Sequence, residues 1–235
     1  NGHGTHVAGI ITGKYGVAPA AKFAALKVLT TSNTSDTNIL NALNYIIANN
    51  DTLKIDLVNM SLGGGAYTTE LSCNTNNPAY IPVIASLNNL GITVFASTGN
   101  DFSPTKIAAP ACVTGVIGVG SINDGNSVFC GTDVYAEVTC FSNATPLQGI
   151  GELVDVLAPG CAIYSEYIGG GFENLCGTSM ASPTALGVAA LLKGYNKSLT
   201  PAQIETIIED TGTLVIDRRN GTSYPAVNAK YAYWS

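Results

Sequence analysis

The sequence predicts an α/β fold in which a mostly parallel sheet is covered by helices on both faces. Three observations carry this expectation. Strand-like and helix-like segments alternate from end to end, with no linker or internal repeat between them, which is the pattern of successive βα units. The strand candidates are short, nearly continuous apolar runs, as strands buried on both faces must be. The chain of 235 residues is 46% hydrophobic and 11% charged, enough to bury one sizeable core, so one domain over residues 1–235 is expected.

Taken in order, His3 to Ile11 reads as a short helix rich in Gly and Ala, and Lys22 to Leu29 (KFAALKVL) as a strand. Thr37 to Asn50 sets Ile39, Leu40, Leu43, Ile46 and Ile47 on one face, the spacing of an amphipathic helix. Ile55 to Asn59 is then a buried strand. Pro78 to Leu90 reads as a helix stopped by Gly91, and Ile92 to Ala96 as the next apolar strand. Val116 to Val119 and Leu153 to Leu157 supply two more. Thr178 to Lys193 is long, apolar and ended by Gly194, a buried helix, and Pro201 begins one further helix behind Thr200, a good N-cap. In such sheets the ligand crevice lies beyond the carboxyl ends of the strands, so the residues that follow the strands are where chemistry is expected.

Composition narrows the function. A formal charge of −6 with ten Lys plus Arg, none clustered, offers nothing to a phosphate backbone or an anionic membrane surface. Nucleic acid is excluded as a partner on that ground. No apolar run reaches the about 18 residues of a membrane span, and any targeting segment lies outside this sequence. Cysteines at 73, 112, 130, 140, 161 and 176 lack the close CxxC pairs of a structural zinc site. An even count in a chain of low charge favours disulfides and a secreted or extracellular setting, against the alternative of buried thiols.

Three stretches put polar or very small residues beside apolar elements, where a fold needs neither: NGHGTHVAG at the start, GITVFASTGND at 91–101, and CGTSMASPTALG at 176–187. Ser179 falls in the first turn of the long apolar helix, where unpaired N–H groups and the macrodipole stabilise developing negative charge. Pro183 lacks an N–H and so frees a carbonyl of the preceding turn. The alternative is that Thr178 or Ser179 merely caps the helix. Asn100 follows the strand Ile92 to Ala96, where its amide is placed to hydrogen-bond an oxyanion, although Gly-Asn after a strand also reads as a plain turn. His3 and His6 are three apart with no acidic residue between them and no third histidine, so a zinc pair is not expected. One of them is available as a general base.

These stretches, in this order, resemble the subtilisin-like serine proteases, or subtilases: HGTHVAG at 3–9 matches the family's histidine motif, Gly99-Asn100 its oxyanion asparagine, and GTSMASP at 177–183 its nucleophile motif. GVAPAAKFAALKVL at 16–29, VNMSLGG at 58–64, AAPAC at 108–112 and VDVLAPG at 154–160 also read as family segments. The resemblance implies the subtilisin-like three-layer sandwich, and a serine endopeptidase with His3 as base, Ser179 as nucleophile and Asn100 as oxyanion donor. It leaves His6 as a packing neighbour. It further implies that Ser61, Leu62 and Gly63 form an edge for substrate backbone, and that Ala96, Ser97 and Gly99 form a wall of the specificity pocket. The partners it implies are polypeptide substrates, with a propeptide or proteinaceous inhibitor as further candidates, acting on a monomer. No cofactor is required. A structural calcium near Asp124 and Asp133 is a weak expectation, since both also suit turns.

The family's order is Asp, His, Ser, with the aspartate on a strand ahead of the histidine motif, whereas only Asn1 and Gly2 precede His3 here. The expectation is therefore a peptidase domain N-terminally incomplete in this sequence, its triad aspartate lying upstream, and unable to fold properly as 235 residues alone. The alternative class is an inactive subtilase-like binding or scaffold domain, against which the intact His3, Asn100 and Ser179 argue. In this setting the expected disulfides are Cys73–Cys112, Cys130–Cys140 and Cys161–Cys176.

Overall fold

The computed structural model describes residues 2–29, 35–123, 125, 137–146 and 153–234. In chain order these residues form α1 (His3–Thr12), α2 (Asp36–Leu53), β1 (Leu57–Met60), β2 (Gly64–Tyr67), α3 (Glu70–Asn76), α4 (Tyr80–Asn89), β3 (Thr93–Ser97), β4 (Ile107–Ala109) and β5 (Val116–Asn123). There follow β6 (Val156–Cys161), β7 (Ile163–Tyr167), β8 (Gly171–Leu175), α5 (Thr178–Tyr195), α6 (Pro201–Asp210), β9 (Thr213–Asp217), β10 (Thr222–Ala226) and α7 (Ala229–Trp234). The main sheet has the order β1-β3-β5-β6-β10-β9. Neighbours run parallel from β1 through β10, and β9 returns antiparallel at the far edge.

Strand alternation explains why there are three layers. Along β3, Val94 and Ala96 enter one apolar cluster and Phe95 the other; along β6, Leu157 enters the first, Val156 and Ala158 the second. Successive side chains point to opposite faces, so each fully apolar strand supplies both cores at once. The first core receives Ile39, Leu43 and Ile46 of α2 and Ile84 and Leu87 of α4. The second receives Ala181, Ala185, Val188, Ala189 and Leu192 of α5, with Ile204 and Ile208 of α6. The small residues of α5 let that helix lie close under the sheet, and α1 packs against it. Thr200 caps α6 as expected: its hydroxyl accepts from the Gln203 N–H, while the Gln203 side chain accepts from the Thr200 N–H.

One expected element fails to form. Residues 21–29 make no strand; Phe23 and Leu26 are 62% and 39% exposed, and Val28 alone of this stretch packs against the first core. A strand exists only by pairing, because its N–H and C=O groups must find partners. Among the described residues this stretch has no ladder, and β1 ends the sheet on that side. Three features also lie beyond the sequence reading: the pairs β2–β4 and β7–β8, and the return strand β9.

The disulfides Cys73–Cys112 and Cys161–Cys176 are formed. Cys130 of the third expected pairing, and Asp124 and Asp133 of the calcium expectation, lie outside the described residues.

Candidate active site

The carboxyl ends of β1 and β3 and the N-terminus of α5 converge on Ser179. Ser179 is the second residue of an 18-residue helix whose first turn holds no acidic side chain, so no carboxylate of that turn opposes the positive end of the helix dipole. The hydroxyl-bearing residue is half-buried, while Thr178 before it and Met180 after it are fully buried.

Asn100 is brought against this turn. Its Oδ1 accepts hydrogen bonds from the Thr178 N–H at 2.9 Å and from the Thr178 Oγ1 hydroxyl at 3.0 Å. Thr178 Oγ1 in turn accepts from the Gly99 N–H at 3.1 Å. Two donors on Oδ1 fix the amide orientation and leave Nδ2, the donor end, beside Gly177. A Cβ on Gly177 would lie 3.4 Å from that nitrogen, so the glycine keeps the space next to the donor clear. Asn100 itself is exposed and so open to a ligand. Thr178 was legible in the sequence only as a cap; its clamp on Asn100 joins residues 78 apart.

His3 opens α1, which packs against both α5 and β7. It is half-buried. Burial, and to a lesser degree the charge of neighbouring His6, hold its pKa below the ordinary histidine value, which favours the neutral form that a base requires. His6 faces the β7–β8 hairpin. It is fully buried, and its Nε2 lies 3.0 Å from both Ile163 O and Glu173 O. Carbonyls only accept, so Nε2 carries the proton and donates to one carbonyl on each strand of the β7–β8 hairpin. The hairpin answers through Ser165, whose hydroxyl donates to His6 O at 2.8 Å. Gly2 permits the same closure, because a Cβ there would lie 2.4 Å from the Tyr167 ring.

The remaining expected residues lie around this centre. Ser61, Leu62 and Gly63 form the irregular link between β1 and β2, with Ser61 and Leu62 half-buried and Gly63 exposed. Ala96 and Ser97 are buried in the last two positions of β3, and Gly99 lies just beyond it. Elsewhere, Asp155, Glu205 and Glu209 bring carboxylate oxygens within 4.8 Å of one another. Asp155 there already accepts from the Gly118 N–H, and the group shares none of the residues described above.

Comparisons with known proteins show the family and the fold. A family model described as the subtilase family matches residues 1–233. Subtilisin E of Bacillus subtilis is 34% identical over 221 residues, covering 90% of this chain and 50% of that protein. The subtilisin of Bacillus pumilus is 34% identical over 221 residues, covering 90% of this chain and 70% of that protein. The chain thus spans about half the length of the first of these curated relatives. Among solved structures, a cold adapted subtilisin-like serine proteinase superposes with a TM-score of 0.76 at 30% identity, over 97% of this chain and 75% of the other. Sphericase superposes with a TM-score of 0.79 at 25% identity, over 97% and 76% of the two chains.

Proposed function

The chain belongs to the subtilase family, and on that premise we propose that it is the peptidase domain of a secreted serine endopeptidase. Ser179 Oγ attacks the scissile carbonyl while His3 takes its proton; His3 then returns that proton to the leaving amine, and water releases the acyl-enzyme by the reverse sequence. Negative charge on the carbonyl oxygen is met by Asn100 Nδ2 and the Ser179 N–H. The family pattern carries the carboxylate that orients the imidazole ahead of the histidine motif. Ser61, Leu62 and Gly63 pair with substrate backbone, Ala96, Ser97 and Gly99 wall the side-chain pocket, and no cofactor takes part. The substrates are polypeptides met by a monomer, and a propeptide or proteinaceous inhibitor would occupy the same edge.

The observation that carries this reading is the clamp of Thr178 on Asn100 Oδ1, which leaves a donor beside the N-terminus of the helix bearing Ser179. An extracellular setting is supported by the two disulfides. Among the described residues no helix is long and apolar enough to cross a membrane. The test is labelling by a fluorophosphonate. The intact protein is expected to label, and Ser179→Ala to abolish the signal. A folded protein that neither labels nor cleaves peptides overturns the reading in favour of a binding or scaffold domain.

A further inference from the structure

The helix that bears Ser179 contains a proline four residues later. An α-helix bonds each carbonyl to the N–H four positions on, and for Ser179 that position is Pro183, which has none. The carbonyl of the nucleophile's own residue therefore lacks its helical donor, within a turn whose neighbours Thr178, Met180 and Ala181 are all buried. A buried carbonyl cannot be left unmade at low cost.

The donor comes from another layer of the fold. The Ser61 hydroxyl, one residue past the end of β1, donates to Ser179 O at 2.7 Å. Ser61 Oγ accepts from Asn59 Nδ2 at 2.9 Å, and Asn59 Oδ1 accepts from the Ser182 hydroxyl at 2.7 Å. Ser182 is fully buried and directly precedes the proline. The hydrogen bonds run in one direction and close on themselves: from α5 at Ser182, through Asn59 and Ser61 at the end of β1, and back to α5 at Ser179.

We propose that Ser61, Asn59 and Ser182 are positioning residues for the nucleophile, and that their hydrogen-bonded loop replaces the helical bond which Pro183 removes. The inference rests on the reading of Ser179 as nucleophile. A helical bond would tie the orientation of the Ser179 carbonyl to the helix alone. The Ser61 bond ties it to the strand end, whose next residues are those assigned to substrate backbone. The carbonyl plane bears on ψ of Ser179 and so on the direction of its Cα–Cβ bond, from which Oγ hangs. Misplacing a reacting atom by about 1 Å costs on the order of a hundredfold in rate, so control of that plane bears on kcat rather than on affinity.

The test is a double-mutant cycle in the intact protein, read as kcat and KM on a peptide substrate and as the rate of fluorophosphonate labelling. Ser61→Ala removes the hydroxyl and keeps the main chain assigned to substrate backbone, so it is expected to lower kcat and the labelling rate about five- to tenfold, with KM unchanged. Pro183→Ala restores an N–H opposite Ser179 O, and in that background Ser61→Ala is expected to cost less than about twofold. Asn59→Leu provides an arm that keeps the helix sequence intact, should Pro183→Ala fail to fold, and by removing the partner of both Ser61 and Ser182 it is expected to lower kcat with KM unchanged. Equal losses on Ser61→Ala in both backgrounds, a loss confined to KM, or an unchanged kcat in both Ser61→Ala and Asn59→Leu overturns the inference. Failure of the parent protein to label at Ser179 is a different result, since it removes the nucleophile and with it the proteolytic reading.

Discussion

His6 should be the anchor that holds the helix carrying His3, and its replacement separates a hydrogen-bonding role from a space-filling one. His6 is fully buried, and its single Nε2–H serves Ile163 O and Glu173 O, both at 3.0 Å. Leucine fills a similar volume but offers no donor. His6→Leu would leave both hairpin carbonyls without that donor, at about 1–3 kcal/mol for a buried group left unsatisfied. For a chain of this size about 1 kcal/mol corresponds to about 2–4 °C in Tm, so a central loss of about 2 kcal/mol lowers Tm by about 4–8 °C. Glutamine places an N–H₂ group where Nε2 lies. Its amide oxygen is an acceptor without an assigned partner, as His6 Nδ1 already is among the described residues. His6→Gln should therefore stay within about 1 kcal/mol of the parent. Thermal melts followed by circular dichroism read the difference, and kcat on a peptide substrate should follow the same order, because α1 carries His3. A glutamine variant that melts as low as the leucine variant would refute the hydrogen-bonding role and leave His6 as packing.

Two further outcomes follow from the same region. The pKa of His3 is held low by burial first and by His6 second, whereas a triad carboxylate beside the ring acts in the opposite sense, so a variant without that carboxylate should have an acidic limb of kcat/KM below the ordinary histidine value of about 6.5. The sign for stability is the same: a folded-state pKa below the unfolded one means the unfolded chain binds the proton first, so stability is held above about pH 6.5 and lost as pH falls through the folded value. Urea midpoints measured across pH 4–8 check this, and a midpoint that rose on acidification through that window would contradict it. Separately, Cys161 and Cys176 are 15 residues apart and enclose the β7–β8 hairpin. The chain-entropy model gives about 3 kcal/mol for such a loop, so the double change Cys161→Ser with Cys176→Ser should lower Tm by about 6–12 °C, and an unchanged melt would argue against that entropic account.

The parts of this molecule that were legible in its sequence are local ones. The apolar run at 92–96 and the amphipathic spacing at 37–50 declare β3 and α2 because each pattern is complete within its own stretch. The Thr200–Gln203 cap is of the same kind. KFAALKVL at 22–29 has an equally good strand composition, yet a strand is defined by a neighbour, and composition says nothing about whether the neighbour is there. The hairpin strands β7 and β8 fail in the opposite sense: their mixture of Gly, Glu, Asn and Tyr gives no burial pattern, and pairing with each other is what makes them strands.

The candidate site divides along the same line. His3, Asn100 and Ser179 stand in motifs a few residues long, whereas the groups that hold them are joined over great sequence distances. Ser61 reaches Ser179 across 118 positions, Ser182 reaches Asn59 across 123, and His6 reaches the two hairpin carbonyls across 157 and 167. Serine, asparagine and threonine are abundant throughout this chain, so no local frequency marks out the few that close a hydrogen bond under Ser179. The one local clue is Pro183. A proline inside a helix removes a known donor from a known carbonyl, and that deficit, read from spacing alone, already requires that something outside the helix answer it.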